Sequence, residues 1–326
     1  MAAYANQFGP ESPDATYLPH AHEERRHDTG EVELNHVIIG DPSKPALLLI
    51  PGQTESWWGY EPVLPALAEH FQCFAVDLRG QGRSTRTPGR YTIDLIGGDL
   101  VRFLDDVIGR PAIVAGLSSG GVATAWLSAY AKPGQVVAAY YEDPPLFSSH
   151  LAPAVGPGLR QAIGPVFALM AKYLGPQWSI GDWEGMGRAL ADELPPGLAF
   201  VAGMLGLGGA EGPPQTLKEY DPEWGHAFWT GAFYGACDHE AMLRSVQVPV
   251  LFTHHLRVVD DATGALLGAT TDQQAARVEA LVTEAGQPIT TVDLPTAAHS
   301  LHGTDPDQYV QVLVEWAARL GQEVRS

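Results

Sequence analysis

Residues 112–120 read Ala-Ile-Val-Ala-Gly-Leu-Ser-Ser-Gly, a short apolar run that ends in the pattern Gly-x-Ser-x-Gly. The apolar run predicts a buried strand, and the residues from Ser119 to about Tyr130 predict a helix directly after it. Small residues beside the serine permit the sharp strand-to-helix turn that holds a nucleophile at the carboxyl end of a sheet. Ser118 is therefore the predicted nucleophile, and the backbone N–H of Ser119 is a predicted oxyanion donor.

The same alternation of short apolar runs and amphipathic segments extends to both sides of this turn. Further strands are predicted at 31–39, 46–50, 73–76, 136–141, 249–254 and 289–294, and further helices at 62–70, 95–108 and 306–320. Strands that alternate with helices require right-handed crossovers. The sequence therefore predicts an α/β fold with a mostly parallel central sheet and helices on both faces.

The alternation is interrupted in the middle of the chain and absent at its start. Residues 144–243 show helical segments punctuated by Gly and Pro, which predicts a helical cap inserted into a sheet domain formed by 31–143 and 244–326. Residues 1–30 are rich in Pro, His and charge, and we interpret them as an N-terminal arm. Such an arm packs on its own domain or on a partner subunit. The sequence therefore leaves open whether the protein forms a homodimer.

Composition limits the classes of partner and the compartment. The 326 residues are 45% hydrophobic, and 19 Lys and Arg against 38 Asp and Glu give a net charge of −19. This charge opposes binding to nucleic acid and to anionic lipid. Two distant cysteines, Cys73 and Cys237, cannot form a disulfide framework or a thiolate zinc site. With no apolar leader or membrane-length apolar run, we expect a cytoplasmic protein without metal or organic cofactor.

A serine nucleophile needs a general base, and the loop 295–305 after the last predicted strand offers two histidines. We favour His299, because its small neighbours leave room for the imidazole to point inwards, and we expect His302 to be solvated at the surface. The loop after strand 46–50 reads Pro-Gly-Gln, which makes the backbone N–H of Gln53 the second candidate oxyanion donor.

The carboxylate that orients the base has three candidates. Glu142 and Asp143 follow the predicted strand 136–141, and Asp260 follows the predicted strand 249–254. Two acids at the end of a buried strand are costly to bury without a charged partner, so they indicate function. We rank Glu142 first, Asp143 second and Asp260 third.

Four sequence motifs resemble a known family. They are DLRGQGRS at 77–84, the serine turn, QWSIGDW at 177–183 and LKEYDPEWG at 217–225. With them the chain resembles the α/β-hydrolase superfamily and, more closely, the bacterial zearalenone hydrolases, or lactonases. The resemblance implies the α/β-hydrolase fold with a cap, a triad of Ser118, Glu142 and His299, and no cofactor. It also implies hydrolysis of the lactone ester of zearalenone, a macrocyclic resorcylic acid lactone.

A bulky aromatic lactone requires a large apolar pocket. We expect Trp183, Phe228 and Trp224 from the insertion, and Leu117 next to the nucleophile, to contact it. Two alternatives to zearalenone hydrolysis stay open. One is a carboxylesterase or a lactonase for another hydrophobic ester, and the other is a lactone receptor without catalysis. Repeated turnover separates an enzyme from a receptor.

Overall fold

The computed structural model describes residues 17–151, 159–174, 181–194, 207, 214–259, 266 and 268–323. These residues form eight strands: β1 (Arg25–Asp28), β2 (Glu33–Ile39), β3 (Ala46–Ile50), β4 (Gln72–Val76), β5 (Ala112–Leu117), β6 (Val136–Glu142), β7 (Val250–His254) and β8 (Ile289–Asp293). The α-helices are α1 (Leu64–Ala68), α2 (Ile93–Phe103), α3 (Ser119–Tyr130), α4 (Leu159–Tyr173), α5 (Trp183–Glu193), α6 (Gln215–Lys218), α7 (Pro222–Thr230), α8 (His239–Leu243), α9 (Asp272–Glu284), α10 (Leu301–Thr304) and α11 (Pro306–Glu323).

All eight strands belong to one sheet with the order β1-β2-β4-β3-β5-β6-β7-β8. From β4 to β8 every neighbouring pair is parallel, whereas β1 and β2 pair antiparallel at one edge. This order reverses direction at β3, so crossovers on either side of β3 place helices on opposite faces. The predicted mostly parallel α/β fold is confirmed.

The central strand β3 shows why this sequence needs cover on both faces. All five of its residues are buried. Leu47 and Leu49 belong to a core that also contains Trp316 of α11, while Leu48 and Ile50 belong to the core beneath α2 and α3. Successive side chains of a strand point to opposite faces, and burying each leucine contributes roughly 1.5–3 kcal/mol.

Part of the predicted arm is a strand of the sheet. Residues 25–28 form β1, which pairs with Glu33–His36 of β2. Its sequence, Arg-Arg-His-Asp, has no apolar alternation, because three of its four residues are exposed at the edge of the sheet. The alternation that reveals buried strands is therefore missing here, and β1 was not predicted.

The described residues between β6 and β7 contain helices α4 to α8 and no strand. Helix α4 packs against α7, with Phe167 in contact with Phe228 at 5.4 Å between ring centroids. A bridge between Gln81 and Tyr220 joins this segment to the sheet domain. The strands predicted for the sheet domain, and the helices in the described part of 144–243, thus agree with the structure.

Candidate active site

The serine turn connects β5 to α3. Ser118 has φ 55° and ψ −122°, a strained conformation for a residue with a side chain. A Cβ on Gly116 would overlap the carbonyl of Gly120, and a Cβ on Gly120 would overlap the carbonyl oxygens of Ile50 and Pro51. The two glycines therefore allow α3 to approach the sheet closely enough to force this turn, which presents Ser118 beyond the carboxyl end of β5.

Ser118 opens into a cavity of about 570 Å³ beneath the inserted helices. His299, on the loop after β8, lines the same cavity. Apolar side chains make up much of the remaining wall: Leu117, Pro145, Ile163, Phe167, Phe228 and Leu256. A cavity of this size and character suits a hydrophobic small molecule.

Two of the four predicted substrate contacts line this cavity. Phe228 and Leu117 are in its wall. Trp183 and Trp224 are not, because both are buried in the hydrophobic core, where Trp224 packs on Phe233 with 4.1 Å between ring centroids. The expectation for these two tryptophans is corrected, and it failed because large aromatic side chains stabilise a helical segment most when they are buried inside it.

His299 is held by Asp143. The two side chains are 2.6 Å apart, from Nδ1 to Oδ2, and Nδ1–H donates because a carboxylate only accepts. The other oxygen of Asp143, Oδ1, accepts from the His255 backbone N–H at 3.1 Å, and His255 Nδ1 lies 3.2 Å from the His299 carbonyl oxygen. Nδ1 of His299 is thus committed to Asp143, which leaves Nε2 available for proton transfer.

The electrostatics of this pair match the chemistry of a general base. Burial raises the pKa of Asp143, but the hydrogen bond and charge of His299 outweigh it and leave the pKa below its usual value. Burial lowers the pKa of His299, but the hydrogen bond and charge of Asp143 outweigh it and raise the pKa above its usual value. A carboxylate that raises the basicity of an imidazole is the arrangement that activates a serine.

Glu142 pairs with a different histidine. Its Oε2 lies 2.8 Å from His302 Nδ1, and its Oε1 accepts from the backbone N–H groups of Leu301 and His302 at 2.8 and 3.1 Å. Burial raises the pKa of Glu142, but the charge of His302 and its hydrogen bond leave the pKa lowered. The His302 ring is fully buried and stacks on Tyr60 with 4.0 Å between centroids.

Two expectations from the sequence therefore need correction. Glu142, our first candidate for the partner of His299, contacts His302 instead, and Asp143, the second candidate, occupies that place. His302 is buried rather than solvated. The reason is that successive side chains at the end of β6 point in different directions, and Asp143 leaves the strand with φ 40°. Asp260, the third candidate, lies outside the described residues.

Both predicted oxyanion donors are at the cavity. Gln53 and Ser119 line it together with Ser118, and Ser119 is the first residue of α3. Within the described ranges, neither backbone N–H has an acceptor in the protein. The Gln53 side chain donates to the Tyr220 hydroxyl at 2.7 Å, which ties this loop to the inserted segment. Two free N–H groups beside a serine are what an oxyanion requires.

Two residues at the site were not predicted. His255 holds both Asp143 and the loop of His299, and Glu55 lines the cavity. The Thr-His-His stretch at the end of β7 is a usable signal for His255, since polar residues at the carboxyl end of a parallel strand lie near the site. Across the described ranges, no group of three or more His, Cys, Asp or Glu side chains is arranged to hold a metal ion.

Comparisons with known proteins place this chain in a family. Residues 47–312 match the model of the alpha/beta hydrolase family, so the chain belongs to that family. Bifunctional epoxide hydrolase 2 from Sus scrofa is 34% identical over 139 residues, which are 42% of this chain and 24% of that protein. The 3-oxoadipate enol-lactonase 2 of Acinetobacter baylyi is 30% identical over 100 residues, 30% of this chain and 37% of that protein. The matches thus span well under half of either relative's length.

Solved structures support the same fold over almost the whole chain. The enol-lactonase from Burkholderia xenovorans LB400 aligns with a TM-score of 0.64 and 18% identity, covering 90% of this chain and all of that one. A thermophilic esterase from Thermogutta terrifontis aligns with a TM-score of 0.62 and 17% identity, covering 91% and 98%. None of the helices that the structure describes combines the length and apolar character needed to cross a bilayer.

Proposed function

We propose that this protein is a serine hydrolase that opens the lactone ester of zearalenone. The observation that carries the proposal is the apolar cavity, which is lined by Ser118, by His299 of the His299–Asp143 pair, and by Gln53 and Ser119 with their free backbone N–H groups. The size of the cavity suits a macrocyclic aromatic ester, and the motifs in the inserted segment supply the resemblance to zearalenone hydrolases. Esterases and an enol-lactonase among the structural neighbours share the fold.

The proposed mechanism uses the protein's own groups. His299 Nε2 takes the proton of Ser118, whose oxygen attacks the lactone carbonyl, while Asp143 stabilises the imidazolium. The N–H groups of Ser119 and Gln53 donate to the oxyanion. The ester C–O bond then breaks, the secondary alcohol takes the proton from His299, and the ring opens as an acyl-enzyme. Water, activated by His299, releases the carboxylic acid and regenerates Ser118.

The resemblance implies Glu142 as the triad acid, whereas the geometry supports Asp143. We assign Asp143 as the acid and Glu142 as a positioning residue, because Glu142 holds the backbone of Leu301 and His302 just beyond the base. The two assignments predict opposite results for conservative amide substitutions. Asp143→Asn is expected to lower kcat by about 10³–10⁴-fold, by analogy with the loss on replacing a triad aspartate. Glu142→Gln keeps an acceptor for both N–H groups and is expected to stay within about tenfold of wild type.

Chromatography of zearalenone incubated with wild type, Ser118→Ala, Asp143→Asn and Glu142→Gln tests both claims. Wild type should consume many equivalents of substrate, which a receptor without catalysis would not, and Ser118→Ala should consume almost none. An inactive Glu142→Gln beside an active Asp143→Asn would return the acid role to Glu142. Intact zearalenone with wild type, together with cleavage of p-nitrophenyl butyrate, would support the alternative of a carboxylesterase or another lactonase.

Epoxide hydrolysis, the activity in the name of one relative, is less well supported by Ser118. Attack of a serine oxygen on an epoxide carbon would leave an ether on the enzyme, and an ether has no carbonyl that water can attack. Attack on an ester leaves an acyl group that water removes. The identity of the nucleophile therefore favours esters and lactones.

A further inference from the structure

One carboxyl group in the cavity wall has no part in the proposed mechanism. Glu55 lines the cavity with Ser118 and His299, and its side chain is 24% exposed. No other carboxyl group is among the described residues of that wall. A carboxylate in a largely apolar wall loses hydration, so it is retained there at a free-energy cost unless it meets a partner.

The loop of residues 52–55 fixes the orientation of this carboxyl group. The Gly52 N–H donates to Glu55 Oε2 at 3.2 Å, and the Glu55 N–H donates to the Gly52 carbonyl oxygen at 3.3 Å. His302 Nε2 lies 3.8 Å from the same Oε2. Because both close polar contacts from the described residues fall on Oε2, the lone pairs of Oε1 are available to a ligand.

His302 partly offsets the effect of burial on the Glu55 carboxyl group. Its Nδ1 contacts Glu142 at 2.8 Å, so the imidazole stands between two carboxyl groups. Burial lowers the pKa of His302, but the charge and hydrogen bond of Glu142 and the charge of Glu55 raise it above its usual value. Burial and the charge of Glu142 raise the pKa of Glu55 above its ordinary value, and the charge of His302 offsets only part of that rise. At a pH above this raised pKa Glu55 is ionised, and an ionised carboxylate only accepts hydrogen bonds.

We propose that Glu55 is a specificity-determining residue that accepts a hydrogen bond from a hydroxyl group of the substrate. This inference rests on the ester-hydrolase function proposed above, and it selects within that class. Neutral esters that bear a phenolic or alcoholic hydroxyl are favoured, whereas esters that bear a second carboxylate near this wall are repelled. Zearalenone belongs to the favoured group, because its resorcylate ring carries two phenolic hydroxyls.

Binding to an inactive protein tests Glu55 without relying on turnover. In titration calorimetry, Ser118→Ala is expected to bind zearalenone at least about tenfold more tightly than the dimethyl ether of its two phenols. This factor corresponds to the loss of one hydrogen bond to a charged group. In Ser118→Ala with Glu55→Gln that difference should shrink to within about threefold. Equal binding of the two ligands before Glu55 is changed, or no binding of either, would overturn the proposal.

Kinetic measurements distinguish recognition of a substrate hydroxyl by Glu55 from a purely structural role of Glu55 in the loop of Gly52. Glu55→Gln should raise KM for zearalenone by about tenfold and leave kcat/KM for p-nitrophenyl butyrate, which has no hydroxyl, within about twofold. The exposed Glu69→Gln is the matched control and should change neither. An equal loss on both esters would show a structural role and refute recognition. If no ester is cleaved by wild type, the proposed function fails, while the calorimetry still decides the role of Glu55.

Discussion

At the scale of single residues, the site is organised by two consecutive acids that contact two histidines, one in the loop after β8 and one in helix α10. Asp143 holds His299 at 2.6 Å and Glu142 holds His302 at 2.8 Å. The histidines are three residues apart, so their positions are linked through the Leu301 backbone that Glu142 binds. The first pair faces the cavity, whereas the second is buried behind it and fixes the loop.

The raised pKa of His299 determines the pH at which kcat/KM falls on the acid side, or acid limb, of the pH profile. Serine attack needs neutral His299, so kcat/KM should rise with pH through a pKa above the ordinary value of 6.5. In Asp143→Asn the hydrogen bond to a charged acceptor and the opposing charge are lost, and the limb should move to lower pH while turnover falls. A pH profile of p-nitrophenyl butyrate hydrolysis measures this shift. A limb that stays in place would mean that Asp143 does not set the pKa of the base.

Removing the second histidine, His302, should lower the stability of the protein. His302→Phe keeps an aromatic ring next to Tyr60 but leaves Glu142 with backbone donors alone. Loss of one member of a buried ion pair costs about 3–5 kcal/mol of unfolding free energy. Urea unfolding checks this value, with the exposed His226→Phe as control. A change below about 1 kcal/mol would show that Glu142 and His302 are not a charged pair.

Sequence reasoning reached the residue types of the site but not all of their pairings. Ser118 and His299 follow from a turn and a loop whose neighbours are small, and both lie at the cavity. The choice between Glu142 and Asp143 depends on how the chain leaves β6, and the positive φ of Asp143 has no signature in a single sequence. Glu55 lies in a loop whose sequence, Pro-Gly-Gln, indicates only backbone N–H donors.

At the scale of elements, close approach between α3 and β3 shapes the site. Gly120 of α3 lies against the carbonyl oxygens of Ile50 and Pro51, which lead into the loop of Gln53. The helix that begins at the nucleophile and the loop that carries the second oxyanion donor are thereby held together. The strands around them were predicted almost to the residue, because buried parallel strands are continuous apolar runs. Edge strand β1 lacks that signal.

A methyl group added at Gly120 should push α3 away from the end of β3. Gly120→Ala is expected to lower the unfolding free energy by at least about 2 kcal/mol and to reduce activity, since backbone must shift. Gly98→Ala in α2 is the control, because its Cβ would meet no atom within 4 Å. That change should stabilise by about 0.5–1 kcal/mol through helix propensity. Thermal unfolding compares both variants, and equal melting temperatures would contradict the role of the close approach.

At the scale of the whole molecule, buried histidines make stability depend on pH. Burial lowers the pKa of His36 to about 4, and it also lowers the pKa values of His150 and His239 below the usual 6.5. These groups are neutral when folded but take up protons when unfolded. The stability they contribute is therefore complete above about pH 6.5 and is lost as the pH falls towards 4. The net charge of −19, by contrast, has no specific role in the proposed mechanism.

The contribution of one histidine can be isolated. Each group that titrates only in the unfolded state changes the unfolding free energy by up to about 1.4 kcal/mol per pH unit. Replacing His36 with Gln should reduce the slope of the unfolding free energy against pH, between pH 6.5 and 4.5, by up to about 1.4 kcal/mol per pH unit. Urea unfolding at several pH values gives the slope, and the exposed His226→Gln is the control. An unchanged slope in His36→Gln would refute a neutral buried His36.

The first strand also bears on how the protein avoids aggregation. Strand β1 closes one side of the sheet with two arginines and an aspartate, and charged side chains at such an edge discourage pairing with a second molecule. The strand it covers, β2, has four consecutive buried residues, Leu34 to Val37. Proteolysis that removes the residues before 29 would expose the backbone N–H and C=O groups of β2, which could then pair with the sheet edge of a second molecule. We therefore expect β1 to help keep the protein dispersed at high concentration.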